Sequence, residues 1–175
     1  MSFKDDLKKA KVGEATVLDV LKNCTVDWNF TNVAEDEQCY YLGDIEAWNI
    51  DKGVIYLDVK MDSCIADTGN VLCEAKVYCY NNNKYYKGNM QSDYDALAII
   101  STAAQRIWII DFAVLKAHYK EGRTYSKEHK DKNGKLSQKT IGTLCSLKQI
   151  QRWGGLLYII DYNEKHEPTK VQKII

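Results

Sequence analysis

Gly43-Asp44-Ile45-Glu46, then the turn Asp51-Lys52-Gly53, then Tyr56-Leu57-Asp58-Val59-Lys60 is the stretch on which the reading of this chain rests. Asp and Gly between two runs rich in apolar and β-branched residues mark a hairpin turn. Folding about Asp51 sets residues whose numbers sum to 102 opposite one another, which places Asp44 opposite Asp58. Side chains alternate along a strand, so Asp58 and Lys60 project from one face and Leu57, Val59 and Met61 from the other. Two carboxylates and an ammonium therefore converge. Directly opposed like charges weaken a strand pair, so the arrangement calls for a shared cation. Mg2+, or Mn2+ in its place, is held by one or two carboxylates together with water and substrate phosphate. Such an ion on Asp44 and Asp58 would polarise a phosphodiester and acidify a bound water. Lys60 would orient or deprotonate that nucleophile, or stabilise developing charge. Against this, D-x-K is a short motif, and an exposed ion pair on a strand face contributes at most about 1 kcal/mol.

Upstream, Phe3, Leu7, Ala10, Val17 and Leu21 follow the 4-3 spacing of an amphipathic helix. Position 14 continues that stripe, and it is Glu14. A carboxylate on an inward face needs a partner; at the helix edge it can also snorkel outward. The order helix-Glu, strand-Asp, turn, strand-Asp-x-Lys is more specific than any of its parts. Residues 26–36 read as a polar loop, and strands are expected over 40–48, 54–61, 71–80, 96–101 and 106–111, in a mostly antiparallel core sheet. A helix follows over 112–120, then a Lys-rich loop over 121–139 with Gly122 and Asn133-Gly134 as turn signals. Strands over 140–146 and 156–161 flank a short helix over 147–153. The division expected is one domain over 1–162 and a polar, mobile tail over 163–175.

With 175 residues, one Pro and ten Gly, the chain is neither collagenous nor Pro-rich and disordered. A single domain of this length buries roughly two-thirds of its unfolded surface. No apolar run reaches the roughly 18 residues of a membrane span, and the opening residues lack a signal-peptide core. A cytoplasmic protein with no membrane partner is expected. Cys24, Cys39, Cys64, Cys73, Cys79 and Cys145 form no C-x-x-C pair and read as reduced thiols. His118, His129 and His166 are scattered and receive no role.

The net charge of zero hides a segregation: residues 27–74 carry eleven acids and two lysines, residues 116–152 ten bases and three acids. An acidic, cation-holding site beside a separate basic surface for an anionic partner would give this pattern. Lys127, Lys130, Lys132, Lys135 and Lys139, near Tyr119 and Tyr125, are the candidate phosphate contacts; a solvated loop is the ordinary alternative. Asp62, Asp67 and Glu74 suggest a second acidic cluster, but turn chemistry accounts for Asp67, and Glu74 is expected on the polar face of its strand.

The pattern resembles the PD-(D/E)xK nuclease superfamily, with the restriction-endonuclease-like fold, and within it small phage- or mobile-element-encoded members. The matching residues are Gly13-Glu14, Gly43-Asp44-Ile45 and Asp58-Val59-Lys60, with Asp62, Thr68-Gly69-Asn70, Glu74, Gly88 and Ser92-Asp93-Tyr94-Asp95 further along. Gly43 stands where the name-giving Pro would be, and Asp58 replaces the commoner Glu. The resemblance, over roughly residues 3–120, implies an α/β/α core with a central mixed sheet begun by an antiparallel hairpin. It also implies a Mg2+-dependent hydrolase centre at Asp44, Asp58 and Lys60, with Glu14 contributing and the Val59 carbonyl as a further metal ligand. The expected function is a metal-dependent nuclease acting on DNA, or secondarily RNA. The alternative from another class is an inactive nuclease-fold module that binds nucleic acid or a protein.

Overall fold

A computed structural model describes residues 3–36 and 42–174 of the chain. Helix α1 (Phe3–Cys24) is followed by β1 (Asn29–Asn32), β2 (Ile45–Asn49), β3 (Gly53–Met61) and a single-turn helix α2 (Ile65–Thr68). Then come β4 (Asn70–Cys79), β5 (Lys84–Lys87), β6 (Ala96–Ser101), β7 (Arg106–Asp111) and α3 (Phe112–His118). The chain continues through β8 (Arg123–Lys130), β9 (Leu136–Ser146), α4 (Leu147–Arg152), β10 (Leu156–Tyr162) and β11 (Pro168–Lys173).

The architecture is mixed α/β with two sheets. Seven strands lie in the order β1-β2-β3-β6-β7-β10-β11, antiparallel throughout except for the parallel pair β3 and β6. Four more form a separate antiparallel sheet, β5-β4-β9-β8. The expectation of one core sheet is corrected here: residues 70–79 leave it to build the second. The crossover between the parallel strands β3 and β6 runs through α2, β4 and β5.

Alternation along the central strands divides the core in two. Ala96, Ala98 and Ile100 face α1 and pack with its Val17, Val20 and Leu21, together with Leu57, Val59 and Ile160. Leu97 and Ile99 face the other way, towards Phe112 and Leu115 of α3, Ile150 of α4, and Val71, Cys73 and Cys145 at the base of the second sheet. Helix α1 turns its Gly13, Thr16, Val17, Val20 and Leu21 inward, while Leu7, expected on the same stripe, is half exposed. A Cβ at Gly13 would lie 2.6 Å from Met61 Cγ of β3, so any larger residue there must push the Met61 side chain aside. Asp111 caps α3 by accepting from Val114 N at 3.0 Å, and Ser146 and Gln149 form a capping box on α4.

Several expectations need correction. Residues 29–32, read as loop, form an edge strand on β2. Lys127, Lys130, Lys132, Lys135 and Lys139, placed on a loop, belong to the β8–β9 hairpin, whose turn is the expected Asn133-Gly134. Residues 168–173, within the stretch read as a mobile tail, pair with β10. In the strand expected over 40–48, residues 40 and 41 lie outside the described part, as does Cys39, and β2 begins at Ile45. The described cysteines Cys24, Cys64, Cys73, Cys79 and Cys145 are free thiols. Among the described residues no helix is long and apolar enough to cross a membrane.

Candidate active site

The hairpin has the register set by folding about Asp51: Ile45 pairs with Leu57 and Asn49 with Gly53. Asp44 lies one residue before β2, its N–H donating to the Leu57 carbonyl at 2.8 Å. Its side chain turns along β3, where Oδ2 accepts from Val59 N at 2.7 Å. The amide and carbonyl of a strand residue point the same way, so the Val59 carbonyl is directed to the Asp44 side of β3. Gly43 makes the approach possible: its φ of +145° is rare for L side chains, and a Cβ would lie 2.7 Å from the Leu57 carbonyl oxygen. Sterics thus account for a glycine before the first acid.

Asp58 and Lys60 emerge from β3 on the face opposite α1. Lys60 Nζ lies 2.9 Å from Asp58 Oδ2 and donates to Oδ1 at 3.2 Å. Asp58 is largely buried, its side chain 13% exposed, and Oδ2 has no hydrogen bond besides the Lys60 ion pair. Above it sits Tyr94, buried, its hydroxyl turned to the Asp58 carboxylate. The position of Tyr94 is set by its neighbour. Asp95 donates its N–H to the Tyr56 carbonyl at 2.9 Å and accepts from Tyr56 N through Oδ2 at 2.8 Å, clamping the chain to β3. The Tyr94 ring then packs on Phe112, centroids 3.9 Å apart.

Asp44, Asp58, Lys60 and Tyr94 line one open cleft of about 500 Å³, closed on the far side by Glu74 of β4 and by Lys87, Gly88 and Asn89. Glu74, expected on a polar surface, is a wall of this cleft instead. That wall is knitted together: Asn89 Oδ1 accepts from Glu74 N at 2.8 Å and Gln91 Nε2 donates to the Ala75 carbonyl at 2.8 Å. Glu14 is not in the lining. It projects from α1 beside β1, takes a hydrogen bond from the Asn32 side chain and feels the charges of Asp44 and Lys60. The candidate phosphate contacts of the β8–β9 hairpin lie on the far strands of the second sheet, and Lys139 faces Glu128 at 3.9 Å. Asp62 Oδ1 accepts from Cys64 N at 2.7 Å and so serves the start of α2.

Burial, reinforced by Asp44, pushes the Asp58 carboxyl above the ordinary aspartate range, and Lys60 only partly offsets it. The Lys60 side chain is half exposed, and the walls of the cleft partly desolvate its ammonium, but Asp58, Asp44 and Glu74 together outweigh that and hold it above its ordinary value. Burial likewise raises Glu14, with Asp44 adding to the effect. Desolvation raises the Tyr94 phenol, with Asp58 beside it. Lys60 is therefore a fixed cation, and the carboxylates carry an electrostatic cost that a second cation would relieve. Among the described residues no three His, Cys, Asp or Glu side chains form a ready metal cage. The donor set is two carboxylates and a backbone carbonyl, which suits an ion that keeps most of its waters. Glu74 and Tyr94 are the site residues that the hairpin alone does not reveal, because they arrive from a separate sheet and from the approach to β6. Comparison with family models, curated proteins and solved structures finds no match for this chain.

Proposed function

We propose that the chain is a metal-dependent nuclease of restriction-endonuclease-like architecture, hydrolysing phosphodiester bonds in nucleic acid, with DNA as the first candidate substrate. The observation that carries the reading is the convergence of Asp44, Asp58 and a charged Lys60 in one open cleft, with Tyr94 packed beside Asp58. Asp44, Asp58 and the Val59 carbonyl would hold Mg2+ or Mn2+. A bound ion of this kind supplies Lewis acidity and a more acidic water. Asp44 is fixed for its part by Val59 N. Lys60, kept protonated by three carboxylates, acts as a cation that orients the attacking oxygen and stabilises charge on the phosphate, rather than as a base. Tyr94 can donate its hydroxyl to Asp58 or to a phosphate oxygen. Glu14, outside the cleft, can act through a bound water or through the field at Asp44.

The test is cleavage of plasmid, linear and single-stranded DNA, and of RNA, with Mg2+ or Mn2+, alongside thermal unfolding with and without metal. Asp58→Asn should abolish cleavage and the stabilisation by metal. In chelator it should melt higher than wild type by about 2–4 °C, as expected for relief of roughly 1 kcal/mol of repulsion in a chain of this size. Lys60→Ala should lower the rate by about 10²–10³ while the fold persists. Cleavage surviving in Asp58→Asn would move the site elsewhere. A wild type that binds nucleic acid but neither cleaves it nor responds to metal would be a non-catalytic binding module.

A further inference from the structure

The strand β5, Lys84-Tyr85-Tyr86-Lys87, is an edge of the second sheet, and all four of its residues are exposed. Lysines commonly guard an edge strand against pairing with other chains. That accounts for Lys84 and Lys87 but not for two adjacent tyrosines 61% and 50% exposed. Strand alternation puts the two rings on opposite faces of β5, and both are held in place. Tyr85 pairs across the ladder with Tyr78, ring centroids 4.8 Å apart, and Lys76 Nζ sits 4.7 Å from its centroid. The Tyr86 hydroxyl accepts from Asn82 Nδ2 at 2.6 Å. The strand also has a direction: Lys87, at its end, lines the cleft of Asp44, Asp58 and Lys60, and Lys84 lies about 10 Å further out at the usual strand rise.

We propose that β5 is a track for a single strand of nucleic acid entering the cleft along the free edge of the sheet, with bases folding over Tyr85 on one face and Tyr86 on the other and phosphates held by Lys84 and Lys87. The inference rests on the nuclease reading and adds a preference for unpaired substrate. Aromatic rings interleaved with lysines beside a groove bind unpaired bases irrespective of sequence, since every base presents a π-face. A duplex keeps its bases stacked inside and offers the rings nothing. Preorganised rings lose little freedom on binding, which favours stacking over a merely charged contact.

The experiment is equilibrium binding, by fluorescence anisotropy in chelator, of a labelled oligothymidylate of about 16 nucleotides, the matching oligouridylate and a duplex of the same length. The proteins are wild type, Tyr85→Ala/Tyr86→Ala and Tyr85→Phe/Tyr86→Phe, each also assayed for cleavage with Mg2+. The alanine pair should lose about tenfold to a hundredfold in single-strand affinity and stay within about twofold of wild type on the duplex. The phenylalanine pair should bind as wild type does, which separates ring stacking from hydroxyl contacts and from any unfolding. DNA and RNA strands affected alike would place the preference in the bases rather than in the sugar. Single-strand affinity unchanged in the alanine pair, an equal loss on duplex, or a phenylalanine pair as weak as the alanine pair would each overturn the track. If wild type cleaves while the tyrosine variants bind and cleave normally, the track falls and the nuclease reading stands. Tyrosine-dependent single-strand binding without cleavage under either metal would keep the track and remove the hydrolase. Wild type that neither binds nor cleaves any of these substrates brings both down.

Discussion

Cys24, at the end of α1, shares an apolar cavity of about 310 Å³ with Trp28, Phe30 and Leu21, and burial alone pushes its thiol above the ordinary cysteine value. In the unfolded chain the same thiol ionises near about pH 8.5. The folded-state value is the raised one, so its contribution to stability is full below about pH 8.5 and is lost as pH climbs through the folded value. Urea unfolding between neutral pH and about pH 10 should therefore show stability falling from about pH 8.5 upward, with a shallower fall in Cys24→Ala. Parallel slopes in the two proteins would assign the alkaline loss to other groups. The residues of the cleft obey the same rule of charge and burial, but they were unequally legible. Asp44, Asp58 and Lys60 could be read because a hairpin fixes its own register and a strand its own alternation. Glu74 could not: one strand shows that it is opposite in facing to Cys73, yet not that a second sheet turns that face onto Asp58. Tyr94 carried no periodic signal, lying between a 3-10 turn and β6 and held there by the clamp of Asp95 on Tyr56.

Elements were legible in proportion to the burial of their faces. The buried strands β6 and β7, the half-buried β3 and β4 and the helix α1 all announce themselves by apolar periodicity. The strands that escaped are β1, β11, β5 and β8, and these are the four edges of the two sheets. Three of these edges, β5, β8 and β11, carry lysines, which deter pairing with other chains, and β1 is four residues long and polar but for Phe30. Their sequences therefore resemble loops. Gly88 shows an element constrained by packing instead. Its N–H donates to the Ala75 carbonyl at 3.2 Å, and a Cβ on it would lie 2.1 Å from the Glu74 carbonyl oxygen. That neighbour is backbone and cannot swing aside as a side chain does. Gly88→Ala should cost about 2–3 kcal/mol in denaturant unfolding, because the segment after β5 must lift off β4. The displacement moves Glu74 and Asn89 together, so the proposed cleavage should fall with stability. A variant as stable as wild type would mean that the close approach is not maintained in solution.

At the scale of the whole molecule, charge is segregated along the chain between residues 27–74 and 116–152. The acids of residues 27–74 include Asp44, Asp58 and Glu74 at the cleft, while the bases of residues 116–152 concentrate on the β8–β9 hairpin of the second sheet. On the nuclease reading, the carboxylates of the cleft would repel an anionic chain until a cation and Lys60 offset them, so the attraction would come from elsewhere on the surface. Lys127, Lys130, Lys132 and Lys135 are suited to supply it: they are exposed on a hairpin and its turn, whereas Lys139 already faces Glu128. Phosphate contacts release condensed counterions, so affinity should fall linearly in the logarithm of salt concentration, by about 0.9 for each duplex phosphate neutralised. Replacing these four lysines by alanine should lower the magnitude of that slope by up to about 3–4 and weaken binding alike on unrelated sequences, since phosphate contacts position a protein without reading bases. Melting temperature should hardly move, because the side chains are exposed and surface substitutions cost little. Titrations at several salt concentrations on two unrelated duplexes check both parts. An unchanged slope would make the hairpin an ordinary solvated edge and leave the approach to the cleft to Lys84 and Lys87, and a slope that changed on one sequence alone would mean that the hairpin reads bases.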